Sequence, residues 1–294
     1  MTTDRRPVTH TALAVCAGVF VLLAAAALAA PLLVPHPEHA GTATDSSARL
    51  LAPSATYWMG TDNLGRDVFS RVVYGLRTGP AIAVLVVSSA VVVGTAVGLV
   101  AGYFGGWVDE ILMRLTDVFL AVPALLLALA LAAVLPRGVV GLTIALALTW
   151  WPWYARLVRG EAASVAGRRH VEACRALGLG HCRIMLRHVL PGTTTPLLVQ
   201  ASTDIGGVIL VASGLSFLGL GAQAPTADWG LMVQESQNHF ATHWWVGTFP
   251  GLAIMGVAAL SYLTGDALRD RLDPRSTSPR GRMPRRRPGT TEAG

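Results

Sequence analysis

The sequence contains no lysine, because all 23 of its basic residues are arginines. ATP-binding loops of the Gly-x4-Gly-Lys-Ser/Thr type need that lysine to hold the phosphates, so the glycine-rich stretch 102–106 is not such a loop. Charged residues are also scarce, at 14% of the 294 residues, whereas a soluble domain averages about 25%. The composition therefore predicts a chain that does not hydrolyse ATP and that is largely surrounded by lipid.

The sequence also lacks the pattern of a metal site. Of its three cysteines, Cys174 and Cys182 have a spacing that fits no zinc-binding pattern. The loop histidines form two pairs, one flanking Glu38 and one with a spacing of four residues, and neither pair offers a full set of ligands. We predict solvated side chains, with no bound metal and no cofactor, for His36, His39, His239 and His243.

Hydrophobic residues, in contrast, make up 52% of the chain and are gathered in long uncharged runs. A membrane-spanning helix needs about 20 mostly apolar residues. The first run could alternatively be a signal peptide, but it is longer than the roughly 7–15 residues of a signal's apolar core. We predict an all-α integral membrane protein with six transmembrane helices, at about residues 11–34, 80–103, 117–135, 139–158, 195–220 and 245–265.

The arginines are distributed unevenly between the two sides that six spans would create. With the N-terminus inside, 18 of the 23 arginines would be cytoplasmic, mostly in the segment 156–187 and in the C-terminal tail. Cytoplasmic loops of membrane proteins carry such an excess of basic residues. The pattern therefore predicts cytoplasmic N- and C-termini for a multi-pass protein of the cell membrane.

The predicted spans divide the chain into segments. Residues 1–10 form a short cytoplasmic tail, and residues 35–79 form an external segment after the first span. Residues 80–272 form a core with five spans and a polar cytoplasmic loop at 159–191. The segment 273–294 is rich in Pro, Gly, Ser and Arg and has almost no large apolar side chains, so we predict a disordered cytoplasmic tail.

The polar loop 159–191 contains the most specific pattern in the chain. From residue 172 it reads Glu-Ala-Cys, three residues, a glycine, eleven residues and Leu-Pro. This spacing resembles the Glu-Ala-Ala loop of ABC-importer permeases, by which the membrane subunits of that family contact their ATPases. The resemblance implies an ATPase-coupling site formed by Glu172, Ala173, Arg175, Gly178, Leu190 and Pro191.

The residue types of this loop also predict its shape. Gly178 can adopt a positive φ at low cost, so we expect it to end a short helix that carries Glu172. Pro191 predicts a helix start or a break before the fifth span. Positive charge for contacts with a soluble partner would come from Arg168, Arg169, Arg175 and Arg183.

A second stretch, EAASVAG at 161–167, matches the start of the same pattern more closely. However, the eleven-residue count from its glycine ends on Leu-Gly, whereas the count from Gly178 ends on Leu-Pro. We therefore predict that Glu161 is an ordinary helix residue near the end of the fourth span.

Four further strings extend the resemblance over residues 57–275. The chain reads GTDNLGRD before the second span, AGYFGGWVD after it, LSFLGLG at the end of the fifth span and GDALRDRLDP after the sixth. Together they resemble the second permease subunit of dipeptide, oligopeptide and nickel ABC importers. The chain departs from that pattern beside the fifth span, where it reads VASG in place of a Glu-containing stretch, and QAPTADWG in place of QPPxPxWG.

The resemblance implies a transport subunit with no catalytic residues of its own. A homologous permease would pair with it to enclose a path, two cytoplasmic ABC ATPase subunits would drive alternating access, and an external solute-binding protein would deliver the substrate. Short peptides are the expected cargo, with nickel or another small solute as the alternative. No nucleic acid is implied as a partner.

Asp204 lies inside the predicted fifth span. A carboxylate at the bilayer centre costs about 2.5–3.5 kcal/mol on insertion scales, so it should face protein or water. Asp204 either lines the transport path or is a hydrogen-bonded structural residue. It would be the coupling residue of an ion-driven secondary transporter, although the Leu-Pro register and the lack of other intramembrane charge argue against that class. An intramembrane enzyme would need a paired nucleophile and base or a metal motif, which the spans lack.

Overall fold

The computed structural model describes residues 18–272, and within them the chain is helical and forms no sheet. The all-α prediction is confirmed. The predicted tails at 1–10 and 273–294 lie outside the described residues. The helices are α1 (Gly18–Leu28), α2 (Ala30–Leu33), α3 (Val68–Phe104), α4 (Gly106–Leu120), α5 (Ala124–Val134), α6 (Val139–Ala166), α7 (Arg169–Ala176), α8 (His181–Ile184), α9 (Leu190–Phe217), α10 (Trp229–Ser236) and α11 (Trp245–Leu272).

Three helical stretches among the described residues are long and apolar enough to cross a membrane. They are α3, α11 and the continuous helix His181–Phe217, which runs from α8 into α9. The pair of α4 and α5 qualifies as a fourth if it is counted as one bent span. α6 is also long, at 28 residues, but it is not among these three. Its three tryptophans and two arginines lower its mean hydropathy. The count of six spans therefore stays a prediction, in which α1 and α6 would supply the first and the fourth.

The predicted third span, 117–135, is not one straight helix. α4 ends at Leu120, α5 begins at Ala124, and the two helices are bent by 80°. Pro123 lies at the break, where it lacks a backbone N–H and its ring disfavours the helical conformation of Val122. The region is helical and apolar, as predicted, but the prediction of a single helix here was wrong.

The second predicted span is part of a longer helix. α3 runs for 37 residues, so it begins at Val68, inside the segment that was predicted to be external. Asp67 caps it by accepting a hydrogen bond from the N–H of Ser70 at 3.0 Å. At 1.5 Å per residue, α3 is about 55 Å long and connects two distant parts of the protein.

Glycines bring α3 and α6 into close contact. Gly94, Gly98 and Gly102 are spaced by four residues on one face of α3, and a Cβ on any of them would lie within 3 Å of the α6 backbone. Small residues at this spacing allow helices in a membrane to approach closely. α9 packs against this pair and against α11, so these four helices form the core of the described chain.

Candidate functional site

The candidate coupling loop, residues 159–191, connects α6 to α9 through the short helices α7 and α8. Gly178 has a φ of +75°. Its N–H donates to the carbonyl of Arg175 at 3.0 Å, and the N–H of Leu179 donates to that of Cys174 at 3.2 Å. This pair of bonds is a Schellman helix end, which favours glycine at the left-handed position. The loop thus has the short helix and the positive φ that were predicted for it.

The outer face of α7 is exposed and charged, whereas Val171 on its inner face is fully buried. Val171 therefore fixes the helix to the core. Within residues 18–272, no ion pair includes Glu172 or the arginines on either side of it. The charges of Glu172, Arg168 and Arg169 are therefore available to another molecule. The exposed residues of this face and its entrance are Arg168, Arg169, Glu172, Ala173 and Arg175.

The alternative register at Glu161 lacks these features. Glu161 lies inside α6, which ends at Ala166. Gly167 follows with a φ of −84°, a value that residues other than glycine adopt readily. The alternative therefore offers neither a separate exposed helix nor a turn that needs glycine, which supports the register at Glu172.

Leu190 and Pro191 lie where the loop joins α9. Residues 185–189 form a π-helical turn, and the N–H of Leu190 donates to the carbonyl of Met185. A proline in a regular α-helix clashes with the carbonyl four residues earlier, and a wider π turn relieves such a clash. Pro191 is in the first turn of α9, as predicted, but the chain does not break there. The helix is continuous from His181 to Phe217.

Asp204 is half-buried in α9, which packs against α6. Its Oδ1 accepts a hydrogen bond from Nε2 of Gln200 at 2.9 Å, and Trp150 and Tyr154 of α6 are its polar neighbours. The Tyr154 hydroxyl is buried and has no hydrogen-bond partner within residues 18–272. These four residues form a polar cluster, the Asp204 cluster, between two helices of the core.

Comparison with known proteins decides the family. Residues 94–278 match the family described as "Binding-protein-dependent transport system inner membrane component". The dipeptide transport system permease protein DppC of Alkalihalophilus pseudofirmus is 40% identical over 259 residues, which cover 88% of this chain and 83% of that protein. The nickel transport system permease protein NikC of Escherichia coli K12 is 39% identical over 256 residues, which cover 87% and 91%.

The chain belongs to this family. It is a permease component of an ABC importer and a multi-pass protein of the cell membrane. The probable D,D-dipeptide transport system permease protein DdpC of E. coli K12 is also similar, at 41% identity over 258 residues that cover 88% and 86% of the two chains. Importers of this kind combine permeases with ATPase subunits and a binding protein. Membership gives no support to the secondary-transporter and enzyme alternatives.

One solved structure has a similar fold. It is described as "Crystal structure of an amino acid ABC transporter with histidines", and it aligns with a TM-score of 0.52 over 70% of this permease and 94% of that chain. The sequence identity is 17%, so the likeness concerns the fold alone.

The permease also contains a buried charge cluster that its sequence did not reveal, formed by Asp62, Arg66, Arg71 and Glu235. Arg66 Nε lies 2.6 Å from Asp62 Oδ2, and its Nη2 lies 2.7 Å from Glu235 Oε2. Arg71 lies 3.7 and 3.5 Å from the same two oxygens. Arg66 and Arg71 are 1% and 0% exposed. Asp62 and Arg66 lie in the GTDNLGRD string. Glu235, in contrast, is in α10, far along the chain, and no local pattern predicts its contact with Arg66.

The cluster of His36, Glu38 and His39 has too few free ligand atoms to form a metal site. Ligand atoms of His36, Glu38 and His39 lie within 4.8 Å of one another. However, Nδ1 of His39 accepts a hydrogen bond from the N–H of Asp67 at 3.1 Å. A neutral ring in this state carries its proton on Nε2 and has no free lone pair for a metal. One histidine and one carboxylate remain, which is too small a ligand set.

Proposed function

We propose that this permease forms half of the translocation path of an ABC importer for dipeptides or oligopeptides. The observation that carries the coupling role is the geometry of the loop: an exposed helix with Glu172, a glycine-dependent end and a continuous connection into α9. Similarity to DppC and DdpC, which are named for dipeptide transport, supports a peptide cargo. Nickel is the second candidate, because NikC is almost as similar.

The loop can pass force from an ATPase to the core. α7 presents Glu172 and Arg175 to solvent, while Val171 ties it to the core. α8 continues into α9 without a break. When the ATPase subunits bind ATP and close, a displacement of α7 and α8 would move α9 relative to α3 and α6. We propose that this movement opens the path alternately to the two sides of the membrane.

The charge distribution supports a cytoplasmic position for the loop. Seven of the 23 arginines lie between Arg156 and Arg187, and in the predicted orientation 18 are cytoplasmic. Basic residues accumulate on the cytoplasmic side of membrane proteins. In this orientation Asp62 and Glu235 lie at the external side, because they contact the opposite end of α3 from the loop.

The Asp204 cluster is our candidate for a polar part of the path. Asp204 carries the only formal charge between Arg187 and Asp228, and a charge at this depth is expected to face protein or water. Peptides offer a protonated amino group that a carboxylate attracts. We propose that Asp204 faces this group during passage, with Gln200 holding the carboxylate in place.

The remaining parts of the importer would be separate chains. We propose a homologous second permease subunit that completes the path, two ABC ATPase subunits at the coupling loops, and an external binding protein that delivers the cargo. Because the permease has no lysine for a phosphate-binding loop, ATP hydrolysis would belong to the ATPase subunits alone.

Reconstitution in lipid vesicles tests this function. The permease alone should show no ATP turnover, whereas the complete complex should hydrolyse ATP in response to a loaded binding protein and accumulate a labelled dipeptide. Accumulation of Ni²⁺ instead of the dipeptide would assign the second candidate. ATP turnover by the purified permease alone would contradict the division of roles proposed above.

A further inference from the structure

The turn between α3 and α4, residues 101–109, lies against the start of the coupling loop and against its two short helices, α7 and α8. Gly105 and Gly106 have φ values of +64° and +54°, which residues other than glycine rarely adopt. These two glycines end α3 and begin α4. As a result, Tyr103 is the second-last residue of α3, and Asp109 lies in the first turn of α4.

Tyr103 contacts the two short helices of the loop. Its side chain is buried, with 6% of the residue exposed. Its hydroxyl forms a hydrogen bond with Nδ1 of His181 in α8, and the two atoms are 2.9 Å apart. The guanidinium carbon of Arg175 in α7 lies 4.8 Å from the centre of the Tyr103 ring. This distance is within the range of a cation–π contact. One side chain of α3 therefore contacts both short helices of the loop.

Asp109 holds the near end of the loop. Its carboxylate accepts a hydrogen bond from Arg159 Nε at 3.0 Å and a second bond from Arg159 Nη2. Such a two-point contact fixes the orientation of the arginine as well as its distance. Gly102 brings the backbones still closer, since a Cβ there would collide with the carbonyl of Arg159. The last turns of α6 are therefore fixed to the same turn as α8.

We infer that the turn 101–109 supports the coupling loop in a fixed position, with Tyr103 and Asp109 as positioning residues. We call this turn the seat of the loop. The inference rests on the proposed function. An isolated helix of eight residues is only marginally stable in water, so α7 can transmit a displacement only if its supports are fixed. The seat supplies those supports and passes the displacement to α3, which extends without interruption to the buried charge cluster at its other end.

The seat offers a matched internal control. Glu110, next to Asp109, forms an ion pair of 2.6 Å with Arg114, and both side chains are largely exposed. Glu110→Gln and Asp109→Asn each neutralise one carboxylate in the same turn of α4. Only Asp109→Asn weakens a contact with the coupling loop, so the pair separates positioning from a general loss of charge.

The test uses the complete complex in vesicles and measures three quantities: the amount of assembled complex, ATP turnover and substrate transported per ATP. Tyr103→Phe removes one hydroxyl and keeps the ring. A net hydrogen bond corresponds to a factor of roughly three to ten, so we expect transport per ATP to fall by about that factor in Tyr103→Phe and Asp109→Asn. Glu110→Gln should match the unsubstituted complex. Tyr103 and His181 share one hydrogen bond, so removing the hydroxyl should cost nothing more once the imidazole is gone. The double variant Tyr103→Phe, His181→Ala should therefore transport as much substrate per ATP as His181→Ala alone.

Unchanged transport per ATP in Tyr103→Phe and Asp109→Asn would overturn the inference, as would an equal loss in Glu110→Gln. A fall in assembled complex with unchanged transport per ATP would show a structural role only and would also overturn it. Glu172→Lys serves as the reference in the same assay. If it too couples normally, the proposed function of the loop is wrong; if it uncouples while the seat variants do not, only the seat is wrong.

Discussion

The two ends of α3 are held by different kinds of contact. At its first turns, Arg71 belongs to a cluster of two arginines and two carboxylates, in which Asp62, Arg66 and Arg71 are buried and Glu235 is partly buried. At its last turn, Tyr103 contacts the coupling loop, in which the outer face of α7 is exposed and forms no ion pair within the described chain. A buried ion pair that loses one partner leaves an uncompensated charge, at a cost of about 3–5 kcal/mol. An exposed charge costs little to change.

The comparison separates folding from function. Substitutions in the buried charge cluster should reduce the stability of the permease, because four side chains depend on one another there. Substitutions on the outer face of α7 should leave the fold intact and affect only what binds to it. The predictions below test this contrast in order of decreasing effect on the stability of the permease.

The largest effect is expected from Asp62→Asn. Within residues 18–272 it leaves Glu235 as the one carboxylate in ion-pair distance of Arg66 and Arg71, so we expect the free energy of unfolding to fall by about 3–5 kcal/mol. Denaturant unfolding of the purified permease in detergent measures the change. Glu110→Gln, at an exposed ion pair, is the control and should cost less than about 1 kcal/mol. Equal free energies of unfolding for the two variants would contradict the claim that the buried cluster contributes more to stability than an exposed ion pair.

A smaller and local effect is expected from Gly178→Val. A Cβ at Gly178 would meet no atom within 4 Å, so the cost is that of the left-handed backbone alone, about 1–2 kcal/mol. We expect normal amounts of permease in the membrane but a strong loss of substrate-stimulated ATP turnover, since the end of α7 would shift. Gly167→Val is the matched control, because Gly167 has a φ of −84°. An equal loss in both variants would show that the turn at Gly178 has no special role.

The sequence predicted the loop well because its signals are local. A glycine at the end of a short helix and a proline before a long apolar run have direct consequences for φ and for hydrogen bonding, and Gly178 and Pro191 follow them. The bend at Pro123 was also a local signal, but the surrounding apolar run concealed it.

Contacts between distant segments could not be predicted in the same way. Arg66 and Glu235 are 169 residues apart, and Tyr103 and His181 are 78 apart. The first pairing depends on how the segment before α3 meets α10, and the second on how the end of α3 meets α8, which no single stretch of sequence specifies. The AGYFGGWVD and GTDNLGRD strings carry the resemblance to the family, but neither string specifies which distant residue its side chains contact.

The smallest effect on stability is expected from Asp204→Asn, because the substitution keeps the size of the side chain and can keep a hydrogen bond to Gln200. If Asp204 faces the amino group of the cargo, uptake of a labelled dipeptide should fall while the complex still assembles. Asp45→Asn removes an exposed carboxylate from the segment before α3 and should leave uptake unchanged. Normal uptake by Asp204→Asn would assign Asp204 to a structural role instead.

The coupling role of the loop at the Glu172 register is tested most directly by a pair of charge reversals. Glu172 is exposed on α7, whereas Glu161 lies within α6. In the complete complex, we expect Glu172→Lys to abolish most substrate-stimulated ATP turnover at normal membrane levels, while Glu161→Lys retains it. Loss of stimulation in Glu161→Lys, together with normal stimulation in Glu172→Lys, would contradict the assignment of the coupling loop.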